Sequence, residues 1–279
     1  MSGRQEMIRI PASLILDAKG DVRRVLIYCY LYSSAGAFTR RQYVSLNMLS
    51  ALCQGAQYDR MKRGLTYILN VLEDCKRRGF ISFLNPGGPK EAFEITLHDD
   101  SINQEDRYAL VRYDEFLKII SADTSAERLT RASLMLLHAY LRLKIHRRSE
   151  YFRYPEAWNC YATQITEETG LPARHITAGL SQLESLELMI HRRASNIIDE
   201  AGVWHYGPLI IANAYPYDSE DITADEAYYT HEIEWKIRQV ERARNEAAGE
   251  KEQHEVGQNT GLSERVYTET DGHENHQYF

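Results

Sequence analysis

Apolar residues recur through "QYDRMKRGLTYILNVLEDCKRRGF", residues 57–80, at Met61, Leu65, Ile68, Leu69, Leu72 and Cys75. Steps of three and four put them on one face of a helix. Gly79 marks its stop, and Lys76, Arg77 and Arg78 lie where the helix dipole favours cations. Two shorter helices precede it. "DVRRVLIYCYLYSSA", residues 21–35, is apolar around much of its girth and suits a buried position. In "VSLNMLSALCQG", Ser45 can cap the start and Gly55 the end. After the long helix, the β-prone runs "FISFL" and "AFEITL" flank the turn signal "NPGGPKE". The order is helix, helix, helix, hairpin.

The pattern then restarts. "AERLTRASLMLLHAYLRLKIHRRS" predicts a long helix with Leu129, Leu136, Leu137, Tyr140 and Leu141 on its inner face. "RYPEAWNCYA" reads as a connection, and "TQITEETGLPARHITAGLSQLESLELM", residues 163–189, as a short helix, a tight turn and a longer helix. Thr163 or Thr166 can begin the first of these, Gly170 suits the left-handed position at its end, and Pro172 fits the first turn of the next. Leu171, Ile176, Leu180, Leu183 and Leu186 then point inward. "MIHRRASN", "IDEAG" and "VWHYGPLIIANAY" supply a second hairpin. A final amphipathic pattern, "ADEAYYTHEIEWKIRQVERARNE", has Tyr229, Ile233, Ile237 and Val240 at helical spacing, able either to dock on the body or to pair with a second copy. Beyond residue 246 the chain is polar and reads as disordered.

Composition changes this picture in one respect. The net charge of −7 argues against nucleic acid, but its distribution does not. Residues 1–98 carry 14 Lys and Arg against 8 Asp and Glu, and residues 126–215 carry 10 against 9. Residues 99–125 carry 3 against 7, and residues 216–279 carry 6 against 16. Acidity therefore belongs to a connecting segment and a tail, the pattern of a basic body with an acidic appendage. The divisions that follow are 1–98, an acidic linker at 99–125 with a short strand or helix of its own, 126–215, a helix within 216–246, and a tail at 247–279. No run approaches the ~20 apolar residues of a membrane span, and "MSGRQEMIRIP" lacks the apolar core of a signal peptide. The expected location is the cytoplasm, on the nucleoid when bound to DNA.

Candidate chemistry is concentrated on two helix faces. In the second unit Arg174, His175, Thr177, Ala178, Ser181 and Gln182 face outward. Arginine and glutamine match guanine and adenine edges in a major groove, while a merely solvated polar face is the plain alternative. Arg192 and Arg193 lie at the start of the following strand, within reach of phosphates. In the first unit Gln57, Tyr58, Arg60, Lys62, Arg63 and Thr66 form a face on which Asp59 is the one acid. Lys90 in the hairpin turn extends it; Arg40 and Arg41 either extend it too or are ordinary loop charges.

Other chemistries find no support. Cys29, Cys53, Cys75 and Cys160 lack Cys-x-x-Cys spacing and sit in apolar contexts, so buried reduced thiols are expected rather than zinc ligands or disulfides. "NPGGPKE" lacks the Gly-Lys-Ser/Thr of a phosphate-binding loop. No His-Glu-x-x-His or nucleophile elbow is present. His138 reads as a core-edge residue and His146 as a surface one, and His273 and His276 fall in the polar tail. No enzyme, metal or cofactor is expected.

"ITEETGLPARHITAGLSQLESLELMI" and the junction "YILNVLEDCKRRGFISF" resemble bacterial winged-helix DNA-binding domains, over roughly residues 20–98 and 126–215. The tandem arrangement is similar to the replication initiators of plasmids and phages, and to bacterial winged-helix regulators. The resemblance implies an α+β fold: mostly helix with small β-hairpin wings, two winged-helix domains in tandem, and a C-terminal helix. It implies sequence-specific binding of double-stranded DNA in replication initiation or transcription control of a bacterial chromosome or mobile element. The partners implied are duplex DNA, the replication or transcription machinery, and a second copy through the C-terminal helix, with no membrane. A different class of function is a tandem winged-helix scaffold of the chromosome-segregation type, which binds proteins and never DNA.

Overall fold

The computed structural model describes residues 7–35, 39–54, 61–84, 86–98, 107–124, 129–145, 156–198, 204–220 and 222–246. The fold is mixed α and β, with helices carrying the core and small antiparallel sheets beside them. No helix among the described residues is long and apolar enough to cross a membrane.

One plan is used twice. The first unit runs β1 (Met7–Pro11), α1 (Ala12–Ile15), α2 (Arg23–Ser34), β2 (Arg41–Val44), α3 (Leu46–Gln54), α4 (Met61–Arg77), β3 (Ile81–Phe83) and β4 (Phe93–Leu97). The second runs β5 (Tyr108–Arg112), α5 (Tyr113–Ser121), α6 (Arg131–Lys144), β6 (Ala157–Cys160), α7 (Ala162–Thr169), α8 (Ala173–Ser185), β7 (Met189–Arg193), the short β8 (Ile197–Ile198) and β9 (Trp204–His205), and β10 (Leu209–Asn213). In each unit the last strand is the middle of a three-stranded sheet, in the orders β2-β4-β3 and β6-β10-β7. The β8–β9 hairpin extends the second sheet's turn.

The elements form where the hydrophobic pattern puts them. Ser45 caps α3, its Oγ accepting the Met48 amide at 3.3 Å. Gly79 adopts φ 79° after α4. The apolar face of α4 buries Ile68, Val71, Leu72 and Cys75. Helix α6 starts after Thr130, whose side chain accepts the Ser133 amide, and every residue from Ala132 to Arg142 is buried. All four cysteines are buried free thiols. Burial pushes Cys53, Cys75 and Cys160 up to about 12, so they stay protonated at neutral pH.

Several expectations are corrected. Residues 107–124, within the segment read as a linker with a short strand or helix of its own, form both β5 and α5, and Val111, Phe116 and Ile119 place them in the core. "RYPEAWNCYA" contains β6, and Arg41 opens β2 rather than sitting in a loop. Neither Thr163 nor Thr166 begins α7; its N-cap is Tyr161, without a side-chain cap. His138 is not at the core's edge but fully buried. Residues 247–279, with His273 and His276, and also His146, lie outside the described residues.

The two units share one core, joined through equivalent elements. β1 and β5 hold the same place in the two plans and pair antiparallel, with Arg9 opposite Leu110 at the centre of the ladder. Two equivalent strands paired in this way are related by a local twofold axis. The equivalent helices α2 and α6 also pack against each other. A last helix, α9 (residues 226–246), lies on the second unit. Ile233 is buried, and Tyr229, Ile237 and Val240 pack against the core, so its apolar face is seated on the body. Buried Glu232 accepts the Glu156 amide at 2.7 Å, and Arg244 reaches the Ser195 carbonyl at 3.3 Å.

Candidate nucleic-acid interface

The α7–α8 pair is fixed by its turn. Gly170 takes φ 75°, ψ 5°, and its amide bonds the Thr166 carbonyl at 2.8 Å. Thr169 Oγ1 donates to the Ile165 carbonyl and accepts the Leu171 amide at 3.1 Å, tying both sides of the bend. Pro172 stands at the N-cap of α8, one position before the first turn, where its lack of an N–H costs no helix bond. Leu171, Ile176, Leu180 and Leu183 are buried, with Leu186 partly so. Gly179 lets α8 approach α6: a Cβ there would meet Leu137 Cδ2 at 2.6 Å.

This packing leaves Arg174, Thr177 and Ser181 exposed on the outer side of α8, with Gln182 and Ala178 half-buried beside them. Thr177 reaches back to the Ala173 carbonyl at 3.5 Å. His175 is half-buried, its Nδ1 3.4 Å from Ser133 Oγ. Burial and then the neighbouring Arg174 charge lower its pKa, so the ring is neutral at pH 7. No large apolar side chain of α8 is exposed.

Arg192 and Arg193 are exposed on β7, but neither is idle. Arg192 Nη1 lies 2.8 Å from Glu184 Oε1, and the same carboxylate stands 2.9 Å from His191 Nδ1. Burial lowers the His191 pKa more than Glu184 raises it. Arg193 donates to the Gly207 carbonyl at 3.1 Å, with its guanidinium 5.8 Å from the Tyr206 ring centre. Glu184 and the 73% exposed Tyr206 were not singled out by the sequence pattern. Both lie outside the apolar period; the turn from α8 into β7 brings Glu184 to Arg192, and the return of the chain toward β10 brings Tyr206 beside Arg193.

In the first unit Gln57, Tyr58 and Arg60 lie outside the described residues. Lys62 and Arg63 fall in the first turn of α4, with side chains outside the described set. Thr66 is exposed one turn further on. Beside it Tyr67 is 47% exposed, under the Arg23 guanidinium at 4.7 Å. Lys90 is exposed in the turn between β3 and β4, a turn held to α3 by the Asn47 amide on the Pro89 carbonyl at 3.0 Å. Arg41 pairs loosely with Glu94 at 3.5 Å, and Arg40, at φ 51°, stacks on Tyr32 at 4.6 Å.

No family model, no curated protein and no solved structure matches this chain.

Proposed function

We propose that this chain is a sequence-specific double-stranded DNA-binding protein made of two winged-helix units, acting in replication initiation or transcription control of a bacterial chromosome or mobile element. The observation that carries the reading is the doubled plan of helix, strand, helix, helix and two strands, with the last strand central in each sheet. That is the winged-helix order, and in it the third helix is the one that enters a major groove. Here those helices are α4 and α8. The polar outer side of α8 suits base edges and phosphates. A protein-docking scaffold would instead present apolar or acidic residues there.

Because α4 and α8 hold equivalent places about the β1–β5 twofold, the two half-sites they read are inverted with respect to each other. Selection of bound duplexes from a random pool tests this directly. An imperfect inverted repeat is expected, with log affinity falling against log salt by about 0.9 per phosphate neutralised. Arg174→Ala and Gln182→Ala should each cost roughly 1–3 kcal/mol against the selected site and relax preference at one position. A flat salt response, with no enriched sequence, favours the scaffold reading instead.

Glu184 supplies a sharper check. It holds Arg192 in an exposed ion pair, a contact worth little that a phosphate can replace. Glu184→Gln removes a negative charge facing the DNA, so affinity should rise by about two- to fivefold, the scale of one exposed pair. Arg192→Ala in the same background should cancel the gain. Filter binding at fixed salt reads both.

A further inference from the structure

One carboxylate serves two basic side chains where α8 meets β7. Glu184, next to last in α8, stands with Oε1 2.8 Å from Arg192 Nη1 and with Oε2 2.9 Å from His191 Nδ1. The Arg192 side chain is 51% exposed, whereas His191 is half-buried. His191 Nδ1 is closed to solvent and makes no aligned hydrogen bond, so Glu184 is the group that a proton on it would face.

Among the described residues no second acid competes for that proton. β10 pairs with β7 and sets Ile211 opposite His191, and it has no titratable residue between Leu209 and Asn213. Glu187, in the turn after α8, lies 3.8 Å from Lys118 of α5. Arg244 of α9 is engaged at the Ser195 carbonyl. The other charges acting on the ring are Arg192 and Arg193 of its own strand. Burial disfavours the imidazolium, Glu184 favours it and the two arginines oppose it, so the ring titrates below the ordinary histidine value. Protonation therefore belongs to mildly acidic conditions, below about pH 6.5.

That proton changes what Arg192 can do. If Arg192 turned from Glu184 to a phosphate while His191 was neutral, a carboxylate would be left uncompensated beside the phosphates, a repulsive arrangement. A charged His191 keeps the carboxylate paired and sets the guanidinium free. The first unit has no such device. Lys76 stands next to last in α4, where α8 has Glu184, and β3 carries neither histidine nor arginine. The meeting of acid, histidine and arginine is particular to the second unit.

We propose that Glu184, His191 and Arg192 form a proton-operated latch. With His191 neutral, Glu184 holds Arg192 back; with His191 protonated from solvent, the imidazolium holds Glu184 and Arg192 is released to a phosphate. The latch regulates the surface assigned to DNA and rests on that reading.

Titration of the full chain, Glu184→Gln and His191→Gln with one mixed-sequence duplex, at fixed low salt and at about pH 7.5 and about pH 5.5, tests it. On acidification the wild-type chain should gain about two- to fivefold more affinity than either variant, the scale of one exposed pair. Glu184→Gln should start from the higher affinity at the upper pH, and His191→Gln from the wild-type one. His175 titrates in all three chains, so its share cancels from the comparison. The His191 ring is followed in parallel by NMR: Glu184→Gln should lower its pKa in the free chain, and saturating duplex should raise it in the wild type. Should a variant fail to fold, the duplex-induced shift of the wild-type ring decides alone. An equal pH response in all three chains, or a His191 titration unmoved by duplex, overturns the latch. No duplex binding by any chain at either pH removes the DNA-binding reading and the latch with it, while the free-chain titration still reports whether Glu184 and His191 are coupled.

Discussion

Replacing Glu115 with alanine is expected to cost about 3–5 kcal/mol of folding stability, the scale of breaking a buried ion pair from one side. Glu115 is fully buried at the third position of α5. One oxygen takes Arg142 and the Tyr215 hydroxyl; the other accepts the Arg112 amide at 3.1 Å and His138 Nε2 at 3.1 Å. Its removal strands a guanidinium inside the core and leaves three further donors unpaired. The cost comes from the partner left behind, not from a large net gain by the intact pair. Glu115→Leu combined with Arg142→Met should therefore recover much of the loss, since neither charge is then buried alone. Urea unfolding of the single and double variants checks this, and equal losses in both would remove the explanation.

The same cluster sets a pH dependence. Burial raises the Glu115 pKa, but the Arg142 charge and the hydrogen bonds from His138 and Tyr215 outweigh it and hold the carboxyl well below the usual range. Burial lowers the His138 pKa, with Glu115 opposing only in part. Nε2 donates to Glu115 while Nδ1 is unpartnered, so a second proton would be buried without an acceptor. In both cases the unfolded chain takes up its proton first as pH falls. The His138 contribution is complete above about pH 6.5 and declines below it, and that of Glu115 is complete above about pH 4.3 and lost as pH falls through its lower folded value. Stability should therefore fall in two acid steps. His138→Gln should shrink the upper one, to which the half-buried His175 and His191 also contribute, read as a shallower fall of the urea midpoint between about pH 6.5 and 5.

What the sequence made legible, and what it hid, divides along the range of the interactions. The helices α2, α3, α4, α6 and α8 and both hairpins repeat apolar residues or turn signals over windows of ten or more positions. The structure places each of them there. β2 and β6 have four residues each, too few for alternation to stand out beside Arg41 or Pro155. They become strands because β4 and β10 offer free edges. Glu115 looked like one acid among several in an acidic stretch. Its partners lie 23, 27 and 100 residues away, and no local period reports such contacts. The polar side of α8 was legible because it is the complement of an apolar stripe. The Glu184–Arg192 pairing was not, since it needs the turn geometry between helix and strand.

Gly170 was legible for one reason and matters for two. Its φ of 75° costs an L-residue about 1–2 kcal/mol. In addition, a Cβ at this position would stand 2.2 Å from the Ala18 carbonyl oxygen, in the turn between α1 and α2 of the other unit. That atom is backbone and cannot rotate away, so an overpacking cost of roughly 1–3 kcal/mol adds to the strain. Gly170→Ala should accordingly lose about 2–5 kcal/mol, seen as a large fall in melting temperature. Gly170→Asn separates the two causes. Asparagine tolerates the left-handed conformation but carries the same Cβ. If the close approach to Ala18 dominates, asparagine is nearly as damaging as alanine; if backbone strain dominates, asparagine restores most of the stability. The first outcome is expected, because the contact joins the turn that aims α8 to the body of the first unit. On the DNA-binding reading, duplex affinity should then drop even at temperatures where the variant remains folded, since α8 can no longer hold its place relative to α4.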